Sequence, residues 1–192
     1  MLHKNYFKAF VICGAMTASM LLLSACSLGV LPIEQAAVIE KYNGKEIQKF
    51  TNQKIVLVGG CFDILHFGHL EFLKKAKVQG DYLIVALEPD ESIINYKKRQ
   101  PTHNQKERAE ILAALRFVDF VILLPVLKGF GDYNQLVTNL HPHVIAVTAD
   151  DPQLANKQNQ ASAVGACVKI VVPRLGDFSS TAIKESNNHI IA

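Results

Sequence analysis

From Lys54 onward the hydrophobic positions alternate between two textures. Short, nearly unbroken apolar runs rich in β-branched residues occupy residues 54–58, 81–88, 118–124, 143–148 and 168–172. Longer amphipathic stretches fill residues 66–78, 104–116, 133–140 and 152–164. The runs read as strands and the stretches as helices, with a last short helix expected near Ser180. Strands that are apolar on both faces and alternate with helices belong to a parallel sheet covered on both sides. The expected fold is therefore α/β, a Rossmann-like three-layer sandwich with a five-stranded parallel sheet. Residues 35–53 are polar and weakly helical in pattern. We read residues 33–53 as a connector, 54–186 as the domain and 187–192 as a tail.

Residues 1–32 have a third texture. Lys4 and Lys8 precede an uncharged stretch, residues 9–32, that contains Leu23-Ser24-Ala25-Cys26. That is the layout of a secretory signal, and its last four residues resemble a bacterial lipobox in which the cysteine becomes the lipidated first residue. An uncleaved membrane anchor, for which about 20 apolar residues suffice, and a start codon upstream of the working one explain the leader equally.

With 192 residues, 49% of them hydrophobic, the chain can bury one core and is too short for two ordinary domains. The net charge is +3 and the lysines are dispersed, so composition makes no case for nucleic acid, while a small anionic ligand fits. Cys13 and Cys26 lie in the leader, leaving Cys61 and Cys167 in the body, with no CxxC pair or Cys/His cluster. Neither a disulfide framework nor a zinc site is expected, and a reduced compartment suits the body.

The chemistry concentrates where the first predicted strand meets the first predicted helix, in Val58-Gly59-Gly60-Cys61-Phe62-Asp63-Ile64-Leu65-His66-Phe67-Gly68-His69. In an open α/β sheet that is the ligand-binding edge. Gly59 and Gly60 allow the backbone to approach a phosphate, and the following helix start directs free N–H groups at it. His66 and His69 are three apart in the first turn, so their imidazoles can donate to phosphate oxygens where charge develops in a transition state. Two histidines on a helix are by themselves ordinary surface or capping residues; the Gly-Gly turn and Asp63 reverse that judgement. No GxxxxGK[ST] motif exists, so this is not a P-loop.

The run from Gly60 to His69 resembles the HxGH signature of the cytidylyltransferase-like nucleotidyltransferase superfamily. Its branches include glycerol-3-phosphate cytidylyltransferase, the ADP-heptose synthase domain and archaeal FAD synthase. The resemblance continues through Gly80-Asp81-Tyr82-Leu83-Ile84-Val85-Ala86, residues 108–115 and Pro173-Arg174-Leu175-Gly176-Asp177-Phe178-Ser179-Ser180-Thr181. It implies transfer of a nucleoside monophosphate, CMP or AMP, from CTP or ATP to a phosphorylated sugar or polyol. In that family His66 and His69 would bind the triphosphate and stabilise the pentacoordinate α-phosphorus. Gly59, Gly60, Cys61, Phe62 and Asp63 would line the nucleotide, and Ser179, Ser180 and Thr181 would hold its β- and γ-phosphates; hydroxyls at a helix start are otherwise plain N-caps. Arg174 would contact a nucleotide phosphate.

Lys97, Lys98 and Arg99 follow the second predicted strand, where the family places phosphate-binding lysines. Lys98 is assigned to the catalytic step and Lys97 to the substrate. Arg108 matches a substrate-binding arginine, although a surface pair with Glu107 or Glu110 also explains it, and Lys77 reads as a helix-surface lysine. Mg²⁺ would bridge the phosphates, with Asp63 as the nearest carboxylate unless it orients the turn. Relatives are commonly dimers, which makes a homodimer the expectation by resemblance.

One departure stands out. Many relatives have Lys-Gly-Gly-Asp or Met-Gly-Asp-Asp after the fourth strand, whereas this chain reads Val147-Thr148-Ala149-Asp150-Asp151-Pro152. Asp150 keeps a substrate-binding assignment, but base and acceptor stay open. The leader and Ala149 also keep a second reading in view, a membrane-tethered nucleotide-binding module without turnover. An exported enzyme would find no nucleoside triphosphate in a periplasm, so the chemistry favours the cytoplasmic side while the leader suggests membrane attachment.

Overall fold

A computed structural model describes residues 37–45 and 52–173. In chain order the elements are β1 (Val38–Lys41), β2 (Ile55–Gly60), α1 (Phe67–Lys77), β3 (Tyr82–Leu87), α2 (Asp90–Lys97) and α3 (Gln105–Ala113). They continue with β4 (Phe120–Leu123), α4 (Phe130–Leu140), β5 (Val144–Thr148), α5 (Leu154–Ala163) and β6 (Cys167–Val172). The strands form one parallel sheet in the order β1-β4-β3-β2-β5-β6.

The alternation of side chains along the strands separates two cores. Val56, Val58, Leu83, Val85 and Leu87 point to one face and pack with Leu73 and Ala76 of α1 and Ala109 and Leu112 of α3. Ile55, Leu57, Ile84, Ala86 and Ile122 point to the other and pack with Leu136, Val137 and Leu140 of α4 and Ala161 of α5. A sheet buried on both sides needs strands without polar positions, and β3 and β4 are apolar throughout. The three-layer sandwich expected from the sequence is thus present.

Among the described residues the sheet has six strands where the sequence predicts five. The additional one, β1, falls inside the segment read as a weakly helical connector and pairs with β4, Val38 opposite Phe120. As an edge strand of four residues it exposes Val38, Glu40 and Lys41, so its sequence lacks an apolar run. A helix, α2, occupies the segment after β3, where the hydrophobic pattern predicts no element. Of its residues only Ser92 and Ile93 are buried, which leaves no helical stripe to recognise.

Two features at the strands' starting edge hold helices to the sheet. Lys77 Nζ donates to Asp119 Oδ2 at 2.6 Å and to the Asp81 carbonyl at 2.7 Å, while Leu83 N–H donates to the same Asp119 oxygen. Lys77, expected on the helix surface, is therefore a tie. Gly80 sits so close that a Cβ there would lie 2.4 Å from the Lys54 carbonyl oxygen and 2.7 Å from Val56 Cγ2. At the opposite edge the strand order turns around at β2, which lies between β3 and β5; that switch point opens the crevice where ligands of such sheets bind. Among the described residues no helix is long and apolar enough to cross a membrane.

Candidate active site

β2 ends in the Gly59-Gly60 pair, and the chain then crosses to α1 through a tight turn in which Phe62 takes a positive φ of 44° and buries its ring. A Cβ on Gly60 would sit 3.0 Å from that ring, so a residue without a side chain suits the position. His66 is the N-cap of α1, with extended backbone (φ −139°, ψ 172°), and its side chain makes no capping bond. His69 lies one turn further on. The two imidazoles stack with centroids 3.8 Å apart and planes inclined by 22°, and Phe62 packs against His69 at 5.1 Å.

Both Nδ1 atoms are buried and have no hydrogen-bond partner among the described residues. Burial, then the charge of His66, and then that of Lys97 lower the His69 pKa to about 4, against a backbone hydrogen bond with Ile64 that raises it. Burial and Lys97 likewise lower His66. Both rings are therefore neutral at pH 7, each keeping one N–H donor and one lone pair.

The turn is braced from beneath. Asp63, 2% exposed, accepts from Arg99 Nη1 at 2.5 Å and from the Thr102 N–H at 2.7 Å. Arg108 has no exposed side-chain surface. Its Nη1 donates to the Cys61 carbonyl, its Nη2 to the Glu88 carbonyl at 2.9 Å and Asp90 Oδ1 at 2.7 Å, and its Nε to the His103 carbonyl at 3.1 Å. It thus fastens the turn after β2, the end of β3, the start of α2 and the approach to α3 to one another. Neither Glu107 nor Glu110 is its partner; Glu107 forms a capping box with Asn104.

The structure brings Lys97, at the end of α2, into the field of His66, His69 and Cys61. Lys98, assigned to the catalytic step from the sequence, is the helix C-cap with positive φ, and it is exposed, as Lys97 is. Burial raises the Cys61 thiol pKa, with Lys97 opposing, so Cys61 contributes its backbone to the turn and stays a neutral thiol. Asp150 is exposed in the turn that follows β5, at the same sheet edge, whereas Asp151 is held by Lys157 Nζ at 2.6 Å. Arg174, Ser179, Ser180 and Thr181 lie outside the described residues, as does the helix expected near Ser180.

Sequence reasoning missed two groups here. Arg99 was passed over beside its lysine neighbours because its partner Asp63 is 36 residues away. Glu88, closing β3, accepts from the Tyr133 hydroxyl at 2.6 Å and from Ser92 Oγ at 2.9 Å. Burial first, and then this bond to Glu88, hold the Tyr133 hydroxyl protonated throughout the ordinary pH range. Among the described residues no three His, Cys, Asp or Glu side chains gather as metal ligands. With Asp63 committed to Arg99 and Thr102, the described residues do not fit a protein-held magnesium ion.

A switch-point crevice in a parallel sheet, entered by a glycine turn and two neutral imidazoles at a helix start, defines a nucleotide-binding domain of the nucleotidyltransferase class. Residues 57–186 match the model of the family described as cytidylyltransferase-like, and the chain belongs to that family. An FAD synthase from Thermococcus kodakarensis is 46% identical over 95 residues, covering 50% of this chain and 62% of the relative. The bifunctional protein HldE of Campylobacter jejuni is 42% identical over 103 residues, covering 53% of this chain and 22% of the relative. The chain thus matches less than two thirds of either protein. The crystal structure of a lipopolysaccharide core biosynthesis protein from Thermoplasma volcanium superposes with a TM-score of 0.52 at 31% identity, covering 64% of this chain and 96% of that one.

Proposed function

We propose that this chain transfers a nucleoside monophosphate, AMP or CMP, from ATP or CTP to a small phosphorylated acceptor, a sugar or polyol phosphate, and releases pyrophosphate. The observation that carries the reading is the stacked pair of neutral imidazoles, each with a buried Nδ1 that has no partner among the described residues, at the carboxyl edge of the central strand. An acceptor phosphate oxygen attacks the α-phosphorus in line; the new O–P bond forms as the bond to the β-phosphate oxygen breaks, and pyrophosphate departs. His66 and His69 stabilise the charge on the α-phosphate oxygens. Lys97 supplies the nearby positive charge, and Arg174, Ser179, Ser180 and Thr181 take the leaving group. Magnesium enters as part of the nucleotide substrate, carried on its phosphate oxygens.

The FAD synthase relative supports adenylyl transfer. The phosphate of a flavin mononucleotide sits on a ribityl chain, itself a polyol, so that acceptor belongs to the proposed class. The purified chain is to be incubated with each nucleoside triphosphate and a panel of such acceptors while pyrophosphate release is followed. Release with one pair supports the enzyme; nucleotide binding with no release from any pair supports the tethered module. His66→Ala and His69→Ala should each lower the transfer rate about 10²- to 10³-fold while the protein stays folded, and a rate near the parent's rejects the site. Intact-mass analysis of the protein from its native membrane bears on the leader: a diacylglyceryl group at Cys26 means export away from the triphosphate and favours the module.

A further inference from the structure

Glu88 has no part in the transfer step described above. It follows β3 directly, and its backbone N–H donates to the Gly60 carbonyl at 3.0 Å, which fixes it beside the glycine turn. Behind burial, and against Lys97, its charge is a further cause of the raised Cys61 thiol pKa, so the side chain lies within electrostatic reach of that turn. The residue is half-buried, and among the described residues no ammonium or guanidinium forms an ion pair with it. Two neutral hydroxyls hold the carboxylate instead, Tyr133 from α4 on Oε1 and Ser92 from α2 on Oε2. A carboxylate oxygen accepts about two hydrogen bonds. The described residues fill one position on each oxygen, which leaves the other open. The Tyr133 hydroxyl donates its proton to Glu88 and likewise keeps a lone pair. This corner of the carboxyl edge thus offers acceptors and negative charge, which suit a ligand's hydroxyl and oppose its phosphate.

We propose that Glu88 is a specificity-determining residue that receives hydroxyl groups of the acceptor, and that Tyr133 and Ser92 are positioning residues, each holding one carboxylate oxygen. The ligand is named an acceptor on the strength of the transfer reading. The acceptor is then divided between two chemistries. Its phosphate meets the donors and positive charge around His66, His69 and Lys97, and its hydroxylated carbons meet Glu88. A carboxylate in this place rejects a second phosphate by like charge. It also rejects an acceptor without hydroxyls, which would cover polar oxygens and give them no donor. The substrate class that follows is a monophosphorylated polyol or sugar, and neither a diphosphorylated one nor a plain alkyl phosphate.

The test uses the full chain and its Glu88→Gln, Tyr133→Phe and Ser92→Ala variants, each saturated with the α,β-methylene analogue of ATP or CTP so that no transfer occurs. Glycerol 3-phosphate, ribose 5-phosphate and flavin mononucleotide are titrated by calorimetry, with propyl phosphate as the counterpart that has the phosphate and no hydroxyl. Glu88→Gln keeps the shape of the side chain but turns one acceptor oxygen into a donor. It is expected to bind at least one hydroxylated acceptor about tenfold more weakly, with propyl phosphate and nucleotide affinity at the parent's values. Tyr133→Phe and Ser92→Ala should lower the ratio of that acceptor's affinity to propyl phosphate's. A bond serving only the fold would lower the melting temperature and leave the ratio. Equal affinity of parent and folded Glu88→Gln for all three acceptors overturns the proposal, as does a parent that binds none of them more tightly than propyl phosphate. A loss of nucleotide affinity in Glu88→Gln places the hydroxyl on the nucleotide and overturns it too. Should Glu88→Gln fail to fold, the Glu88 carboxylate carbon resonance of the parent decides: a shift with a hydroxylated acceptor that propyl phosphate does not produce supports the proposal, and no such shift overturns it. Hydroxyl-dependent binding without pyrophosphate release from any substrate pair removes the transfer reading and keeps the hydroxyl site. Transfer by Glu88→Gln at the parent's acceptor KM does the reverse.

Discussion

Two imidazoles stacked at 3.8 Å repel each other once both are protonated, and the site resolves this by keeping both neutral. The consequence for stability follows from which state binds protons. An unfolded histidine takes up a proton near pH 6.5, whereas folded His69 waits until about pH 4. Between those values the unfolded chain binds more protons, so the stability that the neutral ring permits is fully present above pH 6.5 and is lost as pH falls toward 4. Melting temperature should decline across that window, and His69→Gln should flatten the decline; a variant with the parent's slope would place the titration elsewhere. Binding a triphosphate works in the opposite sense, since its negative charge raises both pKa values. Calorimetric heats measured near pH 6 in buffers of different ionisation enthalpy should therefore reveal proton uptake, absent in the His66→Ala, His69→Ala double variant.

Among the elements, the segments around the site are held by one buried guanidinium. Removing it from Arg108→Met leaves the Cys61, Glu88 and His103 carbonyls without their donor and Asp90 without its partner. We expect a loss of about 3–5 kcal/mol in chemical denaturation, which Arg108→Lys does not restore. If Arg108 served chiefly as a substrate contact, KM would rise and the denaturation midpoint would stay. Gly80→Ala probes the other edge: its Cβ meets backbone, which cannot rotate away, so about 1–3 kcal/mol of stability should go while nucleotide affinity persists.

The same elements show what a sequence can express. β3 and β4 declare themselves because every residue is apolar, and α3 begins at Gln105, directly behind its N-cap Asn104. β1 and α2 stayed hidden because each presents few buried residues, and their places are set by neighbours distant along the chain. The imidazole pair was legible as spacing, yet Arg108 was not legible as a brace. A buried charge looks like a surface charge until its partners, supplied by three other segments, are known.

In the whole molecule one set of ties lies at one edge of the sheet, and the chemistry, braced by Arg108, lies at the other. The Lys77–Asp119 tie and the Gly80 contact secure the strands where they begin, and the histidines, Arg99 and Lys97 gather where β2 and α2 finish. Substitutions at the first edge should therefore change stability with little effect on ligands. The strand order has a further consequence during synthesis. β2 is made early and occupies the centre, but its neighbour β5 comes from much later in the chain, and the bond from the Ile55 N–H to His143 Nδ1 joins residues 88 positions apart. A nascent chain therefore carries an oily ribbon with one naked flank while the residues between β2 and β5 are made, open to whatever strand or chaperone reaches it before its own partner emerges.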